Sequence, residues 1–212
     1  MKRRIQSMMS VVVLMLSWDC LLAQQPGDEV MATVGQVRQE LEKNQDNHAR
    51  RLMLARFLHG FGEVKEAMKF CEGITIEAQN SSLRWRARFE MFLMRSELGD
   101  GQAAKKVLLK ELKTPPPANE KYDPWMLKIG NYLVGKMEEE EFAKRSLPKL
   151  QDPLFHDTHY YMGMKMWIEG DRDGAFAQFR NAMEVSKESS ATYQAAKLRL
   201  EIDETGKPLL EP

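Results

Sequence analysis

Two histidines three residues apart, His156 and His159, stand beside Asp152 and Asp157. Side chains at i and i+3 share a helix face, so this is the chain's nearest approach to a metal-ligand set. The plainer reading makes the segment the polar start of a helix, with His159 at a packing position, and no metal site is expected. Arg50, Arg51, Arg56, Arg84, Arg88 and Arg95 form a basic stripe, and planar guanidinium groups grip carboxylates in pairs, as an acidic peptide would require. Glu63, Glu90 and Glu97 are interspersed among them, which favours a solvated, ion-paired face. Cys71 falls at a large apolar position and reads as a buried, inert thiol. Met53, Met68, Met91 and Met183 read as core filling rather than metal capture. No nucleophile elbow, phosphate-binding loop, dinucleotide fingerprint or Cys-x2-Cys pair is present. The expectation is a protein without catalytic residues, cofactor or metal.

Formal net charge is zero at pH 7, so bulk electrostatics favour neither nucleic acid nor an anionic membrane as partner. Lys2, Arg3 and Arg4, the apolar run from Met8 to Leu16, and the small residue Ala23 have the order of a secretory signal over residues 1–23. The apolar run is short for a bilayer span, so no stable span is expected once the signal is removed. The chain is then exported, to the periplasm or envelope of a bacterium or beyond it. Cys20 lies inside that segment after the bulky Trp18 and the charged Asp19, which argues against lipid attachment there. Cys71 is left without an intramolecular disulfide partner, so stability must come from packing.

The candidate residues need elements to hold them, and the glycines mark where those elements turn. Gly62, Gly99, Gly135 and Gly170 are separated by 37, 36 and 35 residues. Three open the same pattern of glycine, acidic residue, three residues and alanine: Gly62-Glu63 to Ala67, Gly99-Asp100 to Ala104, and Gly170-Asp171 to Ala175. Glycine takes the left-handed conformation that ends a helix, and an acidic neighbour suits the positive end of the next one. Each glycine therefore predicts a helical hairpin. Leu54, Leu58 and Phe61 before Gly62, and Val64, Ala67, Met68 and Cys71 after it, recur at helical spacing. Tyr160, Met164, Trp167 and Ile168, then Phe176, Phe179, Ala182 and Met183, do so around Gly170.

His159, Met162, Gly163, Met166, Ala175, Phe179 and Ala182 reproduce, with conservative changes, the spacing W-x2-L-G-x2-Y followed by A-x3-F. The chain thus resembles the tetratricopeptide repeat family. Leu54, Ala55, Leu58, Ala67 and Cys71 follow the pattern with Arg51 at the aromatic position, and Met91, Phe92, Ala104 and Leu108 follow it more loosely. The unit around Gly135 departs most, with Glu140 at the alanine position. The resemblance implies an all-α fold, an α-α superhelix of about four helix-turn-helix repeats covering 48–81, 82–113, 122–150 and 156–189. Three successive prolines within 114–121 interrupt the array, and Asp123 with Pro124 should start the next helix. Residues 24–47 and 191–212 supply leading and trailing helices that cap the stack.

Family likeness further implies that the first helix of each pair lines a concave groove holding a protein or peptide partner. Arg56, His59, Phe89, Leu93, Ser96, Tyr160, Met164 and Trp167 are the groove residues it implies here, with Phe89, Met164 and Trp167 reading equally well as core. The expected function is a non-enzymatic scaffold or adaptor of the cell envelope. The alternative is a solute- or glycan-binding accessory, or a regulatory domain of an envelope enzyme.

Overall fold

The computed structural model of the chain describes residues 28–44, 46–114, 124–144, 153–186 and 190–205. Among these residues the chain is all-helical, with ten helices and no strand. They are α1 (Asp28–Lys43), α2 (His48–Gly60), α3 (Val64–Glu77), α4 (Ser81–Glu97), α5 (Gly101–Lys113), α6 (Pro124–Leu133), α7 (Glu139–Lys144), α8 (Pro153–Glu169), α9 (Arg172–Val185) and α10 (Ala191–Thr205). The expected signal over 1–23 and most of the 114–121 linker lie outside the described residues, as does Asp123. No described helix is long and apolar enough to cross a membrane.

All four spaced glycines carry positive φ, between 73° and 88°, and they are the residues of positive φ among those described. Each closes its helix in the same way. At the first turn the Gly62 amide donates to the His59 carbonyl at 3.1 Å, and the Glu63 amide donates to the Leu58 carbonyl at 2.8 Å. The same pair of bonds recurs at Gly99, Gly135 and Gly170, so orphaned carbonyls at every hairpin turn are satisfied by one glycine-dependent motif. Of the three acidic neighbours, Asp171 caps the next helix through its side chain, accepting from the Gly174 amide at 3.0 Å, whereas Glu63 and Asp100 make no such bond. Asn47 and Asn80 supply the caps of α2 and α4.

The hairpins are α2/α3, α4/α5, α6/α7 and α8/α9, with α3 also packed on α4 and α6 on α5. First helices contact one another: α2 meets α4, α4 meets α6 and α8, and α6 meets α8. Small residues stand where the axes approach, with Ala55, Ala67, Ala104 and Ala175 all buried. A Cβ on Gly163 would lie 2.6 Å from the Phe179 ring and 3.2 Å from the Ala175 carbonyl oxygen, so close packing accounts for this glycine inside α8. In the irregular third hairpin, Glu140 points outward, paired with Lys144. Phe142 anchors α7 instead, stacking on Tyr132 and Trp125 at centroid distances of 4.4 and 5.4 Å.

The core divides into two clusters, one built on α1 to α4 and one on α4 to α9. Two helices contribute to both: α4, through Ala87 and Met94 to the first and Phe89 and Leu93 to the second, and α10, through Leu198 to the first and Ala195 and Ala196 to the second. Expected as an end cap, α10 packs on α8 and α9 and also reaches across to α2. Covered by α1, α3, α4 and α10, helix α2 is buried at every residue from Leu52 to His59. That explains why its apolar residues form no single stripe.

Candidate functional site

The first helices α2, α4 and α8 bring a set of polar side chains against α10. Arg56 of α2 and Glu90 of α4 form a salt bridge at 2.8 Å, with side chains only 2% and 1% exposed. Arg56 also donates to the Tyr161 hydroxyl at 3.1 Å and to the Thr192 hydroxyl of α10 at 3.3 Å. Thr192 donates in turn to Asp157 of α8 at 3.3 Å, and Asp157 pairs with Arg86 of α4 at 2.6 Å. Tyr160 donates to the second Glu90 oxygen at 3.3 Å, and its ring lies 4.6 Å from the Arg56 guanidinium. Each charge taken from water here is thus met by an opposite charge or a hydroxyl, as burial demands.

Two turns further along α4, Glu97 accepts from His59 of α2 and from Arg199 of α10, the latter at 3.2 Å. Burial pushes the Glu97 carboxyl up, but the His59 bond and the Arg199 charge outweigh it and hold the group at about 2. Burial, reinforced by Arg199, holds His59 below its ordinary value despite Glu97. At neutral pH the imidazole is therefore uncharged. Its Nε2 donates to the carboxylate, leaving the buried Nδ1 without a protein hydrogen-bond partner. The Trp167 ring is met by two guanidinium groups, 3.3 Å away for Arg172 and 5.2 Å for Arg199 measured to the ring centroid.

The groove residues implied by the family likeness are brought together, but not as an open surface. Arg56, His59 and Tyr160 lie in the polar layer facing α10, while Phe89, Leu93 and Met164 are fully buried. Ser96 is half-buried and donates to the Phe92 carbonyl within its own helix. Trp167 is also half-buried. Of the three residues that also read as core, Phe89 and Met164 are fully buried and Trp167 is half-buried, while α10 lies over the polar layer through Thr192 and Arg199.

The basic stripe is dispersed into ion pairs: Arg50 with Glu40, Arg51 with Glu77 and Arg88 with Glu111, while Arg84 donates to the Ala78 and Gln79 carbonyls. His159 bonds to Gln178 at 2.6 Å, Asp157 belongs to the Arg86 pair, and Asp152 and the His156 side chain lie outside the described residues. No cluster able to hold a metal is found among the described residues. Cys71 is buried, and burial pushes its thiol well above the ordinary value.

Glu90, Thr192, Tyr161, Asp157, Arg86 and Arg199 were not read from sequence as members of one site. Part of the signal was present: Ala87, Glu90, Met94 and Glu97 share a helix face, so a carboxylate on the buried stripe of α4 demanded a buried cation. A concavity of about 740 Å³ lies between α1, α2 and α3, lined by Leu41, Leu54 and Phe70 together with Arg38, Lys69 and Glu66. Comparison with known proteins finds no matching family model and no significant match among curated proteins.

Proposed function

We propose that the chain is a non-enzymatic interaction module of the bacterial cell envelope, its hairpins stacked as an α-α superhelix of the tetratricopeptide kind. The observation that carries this reading is the convergence of α2, α4 and α8, one helix from each of three hairpins, on a common face where polar side chains receive a helix. A layer of this kind selects a helical ligand by paired hydrogen bonds. Supporting it are the equal glycine turns at 35 to 37 residues and the small residues between helix axes. Capture from an envelope extract on the immobilised full chain tests the proposal. Recovery of one protein at stoichiometric amount is the expected result, and recovery of none refutes it.

The concavity between α1 and α3 favours a second reading, a solute- or glycan-binding accessory, since about 740 Å³ is of small-ligand size. Thermal stabilisation by a small solute, without protein capture, would select that reading.

A further inference from the structure

The face formed by α2, α4 and α8 already holds a helix, and the seating defines what that face recognises. Thr192, Ala195, Ala196 and Arg199 follow at i, i+3, i+4 and i+7, on one stripe of α10. At one end Thr192 accepts from Arg56 and donates to Asp157, and at the other Arg199 pairs with Glu97 and lies over Trp167. Between them Leu198 presses on Gly60, where any Cβ would come within 2.3 Å of the leucine side chain. Gly60 is therefore a notch cut for that leucine.

The seat is polar for an internal interface. With α10 in place, Arg56, Glu90, His59, Asp157 and Arg199 are buried, and His59 Nδ1 and Arg199 Nη2 lack protein hydrogen-bond partners. Lifting α10 would part Arg199 from Glu97, but it would return the Arg56–Glu90 and Arg86–Asp157 pairs to water intact and hydrate both orphaned nitrogens, which lowers the cost of opening. Interfaces of this composition are those of exchangeable contacts rather than permanent ones.

Building on the interaction-module reading, we propose that α10 is the resident occupant of a helix-binding seat. It gives way to a helix of a partner protein carrying a hydroxyl, two small residues, leucine and arginine at i, i+3/i+4, i+6 and i+7. The seat then regulates itself: the partner competes with a tethered copy of its own recognition pattern, and only a helix that satisfies it better displaces α10.

The test uses a fluorescent peptide of residues 190–205 and the full chain carrying Thr192→Glu and Arg199→Glu, which set carboxylates against Asp157 and Glu97. Fluorescence anisotropy should show the peptide binding this variant at least tenfold more tightly than the unaltered chain, and a peptide carrying Arg199→Glu should not bind. A variant that keeps full helicity but takes up no peptide would make α10 a fixed strut and overturn the proposal, as would a variant that loses its helicity. If the variant captures α10 from an added unaltered chain, seen as a one-to-one dimer by light scattering, the partner assignment falls. Hydrogen exchange on the unaltered chain gives an independent readout. Amides of α10 should open more readily than those of α2 and α8, and equal protection refutes displacement. Peptide binding without any envelope partner would sink the broader reading alone, whereas a captured partner without peptide binding would sink only the role of α10.

Discussion

Replacing Arg56 by methionine keeps most of the side-chain volume and removes the charge, so it isolates the electrostatics of the buried layer. Glu90, with 1% of its side chain exposed, would lose the guanidinium that neutralises it. Removing one member of a buried pair costs about 3–5 kcal/mol, because the remaining charge is neither solvated nor compensated. The Tyr161 hydroxyl loses its donor as well, while Thr192 keeps Asp157. Against a typical total stability of about 5–15 kcal/mol the variant should be close to marginal, with a melting point lower by about 6–20 °C. Adding Glu90→Leu removes the stranded carboxylate and should recover at least about half of the loss, although Tyr160 then lacks its acceptor. Urea denaturation of the full chain, followed by far-ultraviolet circular dichroism, supplies all four corners of the cycle. A loss below about 1 kcal/mol for Arg56→Met, or a double variant as poor as the sum of its parts, would refute the reasoning.

The remaining predictions use the same chain. Glu97, held at about 2 against an ordinary 4.5, contributes stability that is complete above pH 4.5 and is lost as pH falls toward 2, roughly 3 kcal/mol in all. His59 acts in the same direction: below its ordinary 6.5 the unfolded chain takes up a proton that the folded chain resists. Urea midpoints measured from pH 7 to pH 3 should therefore fall steadily, and Glu97→Gln should flatten the lower part of that profile. Gly163→Ala should destabilise by about 1–2 kcal/mol through contact with Phe179 despite its gain in helix propensity. Gly170→Ala meets no atom within 4 Å, and should cost about 1–2 kcal/mol through its φ of +88° alone. Both follow from urea titration, with a neutral Gly163→Ala contradicting the close approach of α8 and α9. Cys71 should resist a thiol reagent in the native chain and react as soon as urea unfolds it.

Hairpin turns were legible because their cause is local: a backbone that must take positive φ needs glycine, and four glycines at near-equal spacing mark four such sites. Close-packed small residues were legible for a similar reason, since their spacing within one hairpin fixes which of them face each other. The site was only half legible. Arg56 and His59 were named as groove residues and do lie on the face where three hairpins meet, but their partners sit 34 and 38 residues away in α4 and, through Thr192, 136 residues away in α10. Helical periodicity reports that a side chain points inward and is silent about which distant helix it meets. Reading the trailing helix as an end cap therefore missed its contact with α2, and with it the burial of Arg56, His59 and Tyr160. Phe142 shows the converse, an aromatic anchor that rescues a hairpin whose alanine position is occupied by Glu140.

The bond between Arg56 and Thr192 joins points separated by nearly two thirds of the polypeptide. An array held by neighbour contacts alone can assemble piecemeal as it leaves the ribosome or a translocation pore, but this chain cannot seal its first core cluster until Leu198 arrives. Until then Gly60, Arg56 and His59 lack the helix that covers them. Maturation is thereby timed by delivery of the last helix, so a chain interrupted near residue 190 should persist as a protease-sensitive intermediate.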